Sequence, residues 1–598
     1  MDAKAATIDP ALAAEGEPLI TQIAPGASRS DYIGPLRDAY ERIDPIKDGW
    51  ETEAFSSAAL DQLHHLEPLL LSPEAAGEEA LAAIVTPGVA SDPLRPENLE
   101  EIFNDGQLSV ARLGDPALGG PTSIRGAAAF LDQLKRLGEG NTPDSTRLKM
   151  KIYRVEQLAA TTSETDVLVT VHRSTDSERK QINATWKCQW HTPEGEAPRL
   201  EKLHVTQYEE VIQPGSSTPL FEDGTAAVLG ANDSYTGQFL VQTDQWRARL
   251  PRDLGLDAVA NHGLAVGDIN GDDLDDLYVC QQGGLPNRLF VQRPDGTLQD
   301  VSEGSGTDWL DYCSGALMVD LDNDGDRDLI VSQDFRMLVL SNDGSGIFTL
   351  EFGSSTKAQS FSLAAADYDN DGLVDFYICG YNPSASAMRS GAMGEPIPFH
   401  DANNGGPSML WRNAGNFIFE DVTAETGIDQ NNTRFSFAAA WEDYDNDGDQ
   451  DLYVANDYGR NCLYRNDGGI FSEVAPVMRV EDTSSGMSVS WSDFNNDGLM
   501  DLYTSNMFSS AGNRITYQRQ FKPGVPEEIR RQFQHIARGN TLFQAMPGGA
   551  PFEDVGAAAS VQMGRWAWGS RFVDFNNDGL DDILVANGFI STEDTGDL

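Results

Sequence analysis

The sequence predicts a mainly β chain, a β-propeller over residues 215–598 preceded by a smaller α+β domain over 36–214. Three observations carry that prediction. A nine-residue acidic segment recurs six times without gaps from residue 268 onward. Each copy runs straight into a short apolar stretch of strand character, and copies recur at about blade length. Ahead of the repeats, helical spacing gives way to strict period-two alternation.

Taken in order, residues 1–35 are rich in Ala, Pro, Gly and Asp and read as a flexible leader. Residues 36–140 carry helical patterns, at Ala54–Leu71 and again at Ser123–Leu137, where Ile124, Ala128, Leu131 and Leu134 share a face. Over 148–211 the period becomes two. Ile182, Ala184, Trp186, Cys188 and Trp190 alternate with Asn183, Thr185, Lys187 and Gln189, which predicts a half-buried antiparallel strand with neighbours at 148–156, 165–173 and 200–211. Helices followed by four such strands predict helices on one face of a sheet. In topology alone that order resembles the nuclear-transport-factor-2-like fold. His64, His65, His172, His191 and His204 form no readable constellation there, and Cys188 reads as a small buried residue.

The six acidic segments are DINGDDLDD (268–276), DLDNDGDRD (320–328), DYDNDGLVD (367–375), DYDNDGDQD (443–451), DFNNDGLMD (493–501) and DFNNDGLDD (574–582). Asp stands at positions 1, 5 and 9 in all six, and Asp or Asn at position 3. The strand runs that follow place a small residue fourth: Cys280, Ser332, Cys379, Ala455, Ser505 and Ala586. That column accounts for two of the five cysteines by packing alone. A second strand of the form N-x-L-Y/F follows at Asn287, Asn461 and Asn540, and a third begins at Phe417, Phe471 and Phe552. The spacings between first aspartates are 52, 47, 76, 50 and 81 residues, so the two long ones hold insertions, at 381–407 and 508–539. Ile529, Phe533 and Ile536 mark a helix in the second insertion.

The chemistry of the repeat points to Ca²⁺, a hard cation that takes roughly six to eight oxygen ligands in flexible geometry. Positions 1, 3 and 5 of a tight loop turn three side-chain oxygens toward one point, and position 9 closes the shell. The candidate ligands are Asp268, Asn270, Asp272 and Asp276 in the first loop, and Asp320, Asp322, Asp324 and Asp328 in the second. The third offers Asp367, Asp369, Asp371 and Asp375, and the fourth Asp443, Asp445, Asp447 and Asp451. The fifth offers Asp493, Asn495, Asp497 and Asp501, and the sixth Asp574, Asn576, Asp578 and Asp582. An all-oxygen set disfavours zinc and copper, and magnesium prefers a stricter octahedron. An EF-hand would need Glu at position 12, where Val279, Val331, Ile378, Val454, Thr504 and Val585 stand instead. The alternative is an acidic turn held by Asx hydrogen bonds without metal. The first loop departs most, with Gly271 at position 4 and Asp273 where the others have glycine.

These loops, with the N-x-L-Y/F and F-x-D-V strands between them, resemble the FG-GAP (VCBS-type) repeats of integrin-α-like propellers. Arg538-Gly-Asn540-Thr-Leu-Phe543, Arg565-Trp-Ala-Trp-Gly569 and Val585-Ala-Asn-Gly588 are similar to the cartilage acidic protein and UnbV-type family, whose usual C-terminal ASPIC/UnbV domain the sequence lacks. The resemblance implies a calcium-binding extracellular propeller used in adhesion or recognition. It implies seven blades, the first being a degenerate one over 217–262 that includes Phe221-Glu-Asp and Gly237–Val241; six blades is the alternative.

Composition narrows the partners. Ninety-four acidic against 42 basic residues leave a net charge of −52, which argues against nucleic acid and anionic membrane surfaces. No run approaches the roughly 18 apolar residues that span a bilayer. The sequence shows no export signal, yet loops of this kind fill at extracellular calcium, so the expected location is secreted, cell-surface or periplasmic. The expected role is a non-catalytic module for a protein or glycan ligand. The competing role is a calcium-dependent polysaccharide lyase or hydrolase, for which His262, His400 and His535 lie in no recognisable motif. Arg514, Arg519, Lys522, Arg530, Arg531 and Arg538 make the second insertion either an anion-binding cap or an internally salt-bridged one. Trp441, Trp491, Trp566 and Trp568 read as core packing, with sugar stacking as the other option.

Overall fold

The computed structural model describes residues 50–73, 77–114, 123–215, 221–241, 263–383 and 396–588, with Gln245, Trp246 and Arg249. The leader over 1–35, His262 and residues 384–395 of the first insertion lie outside them. The chain divides into two compact units between Ser217 and Thr218.

In the first unit, four long strands, Thr146–Ala159, Thr162–Ser174, Glu178–His191 and Arg199–Pro214, form an antiparallel meander. The alternation read in the sequence is real burial: Ile182, Ala184, Trp186, Cys188 and Trp190 are all buried. They pack with Leu63, Leu70, Phe130 and Leu134 from helices Glu51–His64, Glu67–Leu71 and Ala127–Leu137. Large rings such as these two tryptophans supply much of the apolar burial in a core. The Trp190 indole N–H satisfies itself on Thr165 Oγ1 at 2.9 Å.

The sheet has eight strands, however, where the sequence led to four. The extra ones, Val85–Ser91, Leu99–Asn104, Ser109–Leu113 and Ile124–Arg125, fall in the stretch expected to be helical. Pro87 and Gly88 oppose a helix in the first of these, which runs parallel to Arg199–Pro214. The next two form a hairpin around Asp105-Gly106, where Gly106 takes φ 83° and Asp105 Oδ1 accepts the Gln107 N–H at 2.8 Å. That Asp-Gly pair was the legible hairpin signal.

The second unit is a succession of antiparallel sheets. Among the described residues, five have four strands in simple meander order and a sixth has two, Ala567–Val573 and Asp582–Asn587. In every one, an acidic nonapeptide joins the first strand to the second, and its ninth residue opens that second strand. Successive sheets bury one continuous series of apolar clusters. Ile330 and Val339 of the second sheet meet Phe376, Trp411 and Phe419 of the third, and Tyr444 and Tyr453 of the fourth meet Leu502, Phe543 and Phe552 of the fifth.

The small column is explained by this stacking. Cys280, Ser332, Cys379, Ala455 and Ser505 are fully buried, and a Cβ added to Gly486 of the fifth sheet would lie 3.0 Å from Ala455 Cβ of the fourth. Ala586 in the two-stranded sheet is exposed.

The N-x-L-Y/F motif is a clamp. Asn287, Asn461 and Asn540 each accept a backbone N–H from the end of the second strand (Gln281, Asn456 and Asn506, at 2.7–2.8 Å). Each also donates its amide to the hydroxyl of Tyr278, Tyr453 or Tyr503 at 2.7–3.0 Å. The tyrosines in turn donate to a backbone carbonyl. These groups are buried, so each must find a partner inside.

Where it is described, over 221–241, the segment nominated for a degenerate blade forms no strand. Thr225–Leu229 is helical and Tyr235–Phe239 is a π-helical turn. Asn232 donates to Leu298 O and accepts from Asp300 N–H, both at 2.8 Å, so the segment fastens onto the outermost strand of the first sheet. Covering an edge strand removes its unpaired backbone groups from solvent.

Candidate metal centre

The loops share one backbone path. Asn323, Asn370, Asn446, Asn496 and Asn577 at position 4 all adopt φ of 57–62°, and Gly271 takes 73° in the first loop. Position 6 is also left-handed, at 84–98° in the five glycines and 65° at Asp273. Asn and Gly both tolerate that region, so the departures in the first loop leave its course unchanged.

The first Asp of each loop faces inward and accepts backbone N–H groups. Asp367 Oδ1 and Oδ2 take Asp371 and Gly372 at 3.0 and 2.8 Å, and Asp443, Asp493 and Asp574 repeat the pair. Position 5 accepts the N–H of position 7, as Asp371 does from Leu373 at 2.9 Å. In the first four loops position 9 is held at both oxygens. Asp375 Oδ2 accepts Tyr368 N–H at 3.2 Å, and its Oδ1 accepts Asn413 N–H at 2.7 Å.

Within this frame the second, third and fourth loops draw three carboxylates together. Asp320, Asp322 and Asp328 form one group, Asp367, Asp369 and Asp371 another, and Asp443, Asp445 and Asp451 a third, with oxygens within 4.8 Å of one another. Asp324, Asp375 and Asp447 stand outside these trios. The first, fifth and sixth loops, which carry Asn270, Asn495 and Asn576 at position 3, gather no such carboxylate group among the described residues.

Burial and mutual repulsion set the electrostatic state of the loops. Burial pushes Asp328 up to about 6, Asp375 to about 7, Asp451 to about 8 and Asp501 to about 6, with neighbouring loop carboxylates adding to the rise. Backbone N–H bonds resist that rise without cancelling it. Asp320 Oδ1 and Asp369 Oδ1 are buried with no hydrogen-bond partner. Unpaired buried oxygens, raised carboxylates and an all-oxygen donor set fit a hard dication, which would relieve the mutual repulsion and tie the loop's two ends.

The remaining candidates resolve into packing and pairing. His400 packs on Phe533, with ring centroids 5.2 Å apart. His535 lies 2.6 Å from Asp482, a buried carboxylate that burial pushes up but the His535 hydrogen bond holds below the usual range. Trp491 sits among Tyr444, Tyr453 and Phe552, Trp441 against Phe471, and Trp568 against Phe437. In the second insertion Arg538 pairs with Asp554, while Arg530 and Arg531 flank Glu527. Each of these three arginines thus has an acidic neighbour within the chain.

The family model described as FG-GAP-like repeat matches residues 268–331, 320–378 and 443–504. Those matches contain all three carboxylate trios. Over these residues the chain carries FG-GAP-like repeats. Cartilage acidic protein 1 of Xenopus tropicalis is 26% identical over 200 residues, covering 29% of this chain and 30% of the relative. The match thus spans under a third of that relative's length. Among solved structures, the hexachlorocyclohexane dehydrochlorinase LinA-type3 of Novosphingobium barchaimii LL02 covers 28% of this chain at 12% identity and a TM-score of 0.18. The Photorhabdus luminescens Tc holotoxin pore covers 60% of this chain and 16% of its own at 14% identity and a TM-score of 0.21. Scores this low carry no inference.

Proposed function

We propose that the chain is a calcium-binding β-propeller that serves as a non-catalytic recognition module for a protein or glycan outside the cytosol. The observation behind this reading is the convergence of loop carboxylates between first and second strands, repeated in consecutive sheets with one backbone geometry. The residues that would hold the ion are those at positions 1, 3, 5 and 9 of each loop. Bound there, Ca²⁺ supplies charge neutralisation and stiffness, leaving recognition to surfaces the loops support. In this reading the six described sheets serve as blades, and any seventh blade comes from elsewhere than 221–241. The helix-on-sheet order of the first unit supports the nuclear-transport-factor-2-like reading of its fold. The similarity to cartilage acidic protein 1 supports an extracellular or periplasmic setting, where calcium is abundant.

Equilibrium dialysis against labelled Ca²⁺ tests the reading. The expected result is several ions per chain, up to six, with one lost on Asp443→Ala. No retained calcium would contradict it.

A further inference from the structure

We infer that loops one to four bind their metals cooperatively, through a hydrogen-bonded relay of asparagines that crosses from sheet to sheet and stops before loop five. The inference rests on the calcium reading above and adds how the sites speak to one another.

The relay starts at the ninth aspartate. Asp276 Oδ2 accepts the N–H of Ile269, at position 2 of its own loop, at 3.0 Å. The carbonyl of Ile269 accepts Asn342 Nδ2 at 2.8 Å, and Asn342 belongs to the third strand of the second sheet. The backbone N–H of Asn342 donates at 2.9 Å to Asp328 Oδ1, the ninth aspartate of the second loop. The same three steps repeat. Asp328 accepts Leu321 N–H (2.9 Å), Leu321 O accepts Asn413 Nδ2 (2.7 Å), and Asn413 N–H donates to Asp375 (2.7 Å). Asp375 accepts Tyr368 N–H (3.2 Å), Tyr368 O accepts Asn466 Nδ2 (2.8 Å), and Asn466 N–H donates to Asp451 (2.7 Å). Each asparagine also donates to the carbonyl of position 8 in its own loop, at 3.0–3.2 Å. One side chain therefore fixes the start of one loop and the end of the next.

A second, outer link joins neighbours at the loop tips. Asn323 Nδ2 donates to Gly372 O at 2.8 Å, and Asn370 Nδ2 to Asp449 Oδ1 at 2.9 Å. The relay asparagines are buried, Asn413 and Asn466 completely, so these bonds do not exchange with water.

At the fifth sheet the relay breaks. Ala545 occupies the asparagine's place and still donates its backbone N–H to Asp501 at 2.7 Å, but it has no side-chain amide for the carbonyl of Tyr444. The break is an internal control within one molecule.

The physical coupling is ordering. A metal that immobilises positions 1 to 9 of one loop fixes the position-2 peptide, which fixes the next asparagine and the next ninth aspartate. The following ion then meets a loop already ordered, so its binding costs less conformational entropy. Such couplings commonly run from about 5-fold upward in affinity.

Calcium titration calorimetry of the full chain tests this. Wild-type protein is expected to fill about four sites in one phase with a Hill coefficient clearly above 1, apart from any sites that fill independently. Asn413→Ala removes no metal ligand; it should keep the stoichiometry, lower the Hill coefficient and weaken the affected sites ~5-fold or more. Asn370→Gly, an exposed change that suits the left-handed backbone, should lower the coefficient less and serves if Asn413→Ala fails to fold. Calcium binding with unit slope in wild type overturns the relay alone, as does a folded variant of either kind with an unchanged slope. Absence of any calcium binding overturns the functional reading itself.

Discussion

Asp451 illustrates what a loop residue does without metal. Its two oxygens accept Tyr444 and Asn466 N–H groups, yet burial and the nearby Asp445 and Asp447 lift it to about 8. A carboxyl whose folded value lies above its unfolded one contributes stability that is full below the ordinary carboxylate range. That contribution is lost as pH rises through the folded value. With Asp328, Asp375 and Asp501 at about 6, 7 and 6, chelator-treated protein should lose thermal stability as pH rises between about pH 4 and pH 8. Saturating Ca²⁺ should abolish that loss, and melts at both pH values with and without chelator read it directly. The tyrosine–asparagine clamp makes a separate prediction. Asn461→Ala leaves the Asn456 N–H and the Tyr453 hydroxyl without their partner, which should cost about 1–3 kcal/mol in denaturant unfolding and leave calcium stoichiometry unchanged. The ligand positions were legible because aspartate recurs at fixed spacing. The relay was not read, although Asn342-Asp-Gly, Asn413-Ala-Gly and Asn466-Asp-Gly recur after the third strand. A recurring Asn-x-Gly looks like a turn, and only the neighbouring sheet reveals where its amide goes.

At the scale of elements, the helix Glu527–Ile536 shows how an apolar spacing becomes an anchor. Of Ile529, Phe533 and Ile536, Phe533 is the buried one, set among Phe399, His400 and Phe521. Phe533→Ala should cost about 3 kcal/mol or more of local packing and open the insertion to proteolysis ahead of the sheets. Arg531, by contrast, is largely exposed beside Glu527, so Arg531→Glu should change stability by no more than about 0.5 kcal/mol. The acidic loops and their flanking strands were readable because each sheet repeats them. Residues 221–241 and 85–125 were misread because they belong to no repeat. Phe221-Glu-Asp imitates the third-strand motif, but its neighbours fold as helix and hold the first sheet's edge through Asn232.

For the molecule as a whole, −52 is a stored electrostatic load that two positive charges per filled loop would lighten. Some of it is already matched inside the second unit, as where Arg434 and Arg460 both hold Asp401. No helix among the described residues is long and apolar enough to cross a membrane. The stacked sheets derive their cohesion from inter-sheet cores, while the carboxylate loops between first and second strands oppose it until neutralised. Among the described residues, the sixth sheet differs in that Leu584 and Ala586 are exposed where equivalent positions in the other sheets are buried.

The most direct test of the account is thermal unfolding of the full chain at pH 7.5 with excess chelator and again with millimolar Ca²⁺. Ligand binding confined to the folded state raises stability by mass action, and several sites add their effects. A large upward shift in the melting temperature with calcium, reversed by chelator and reduced by Asp443→Ala, is the predicted result. Coincident melts under the two conditions would contradict it.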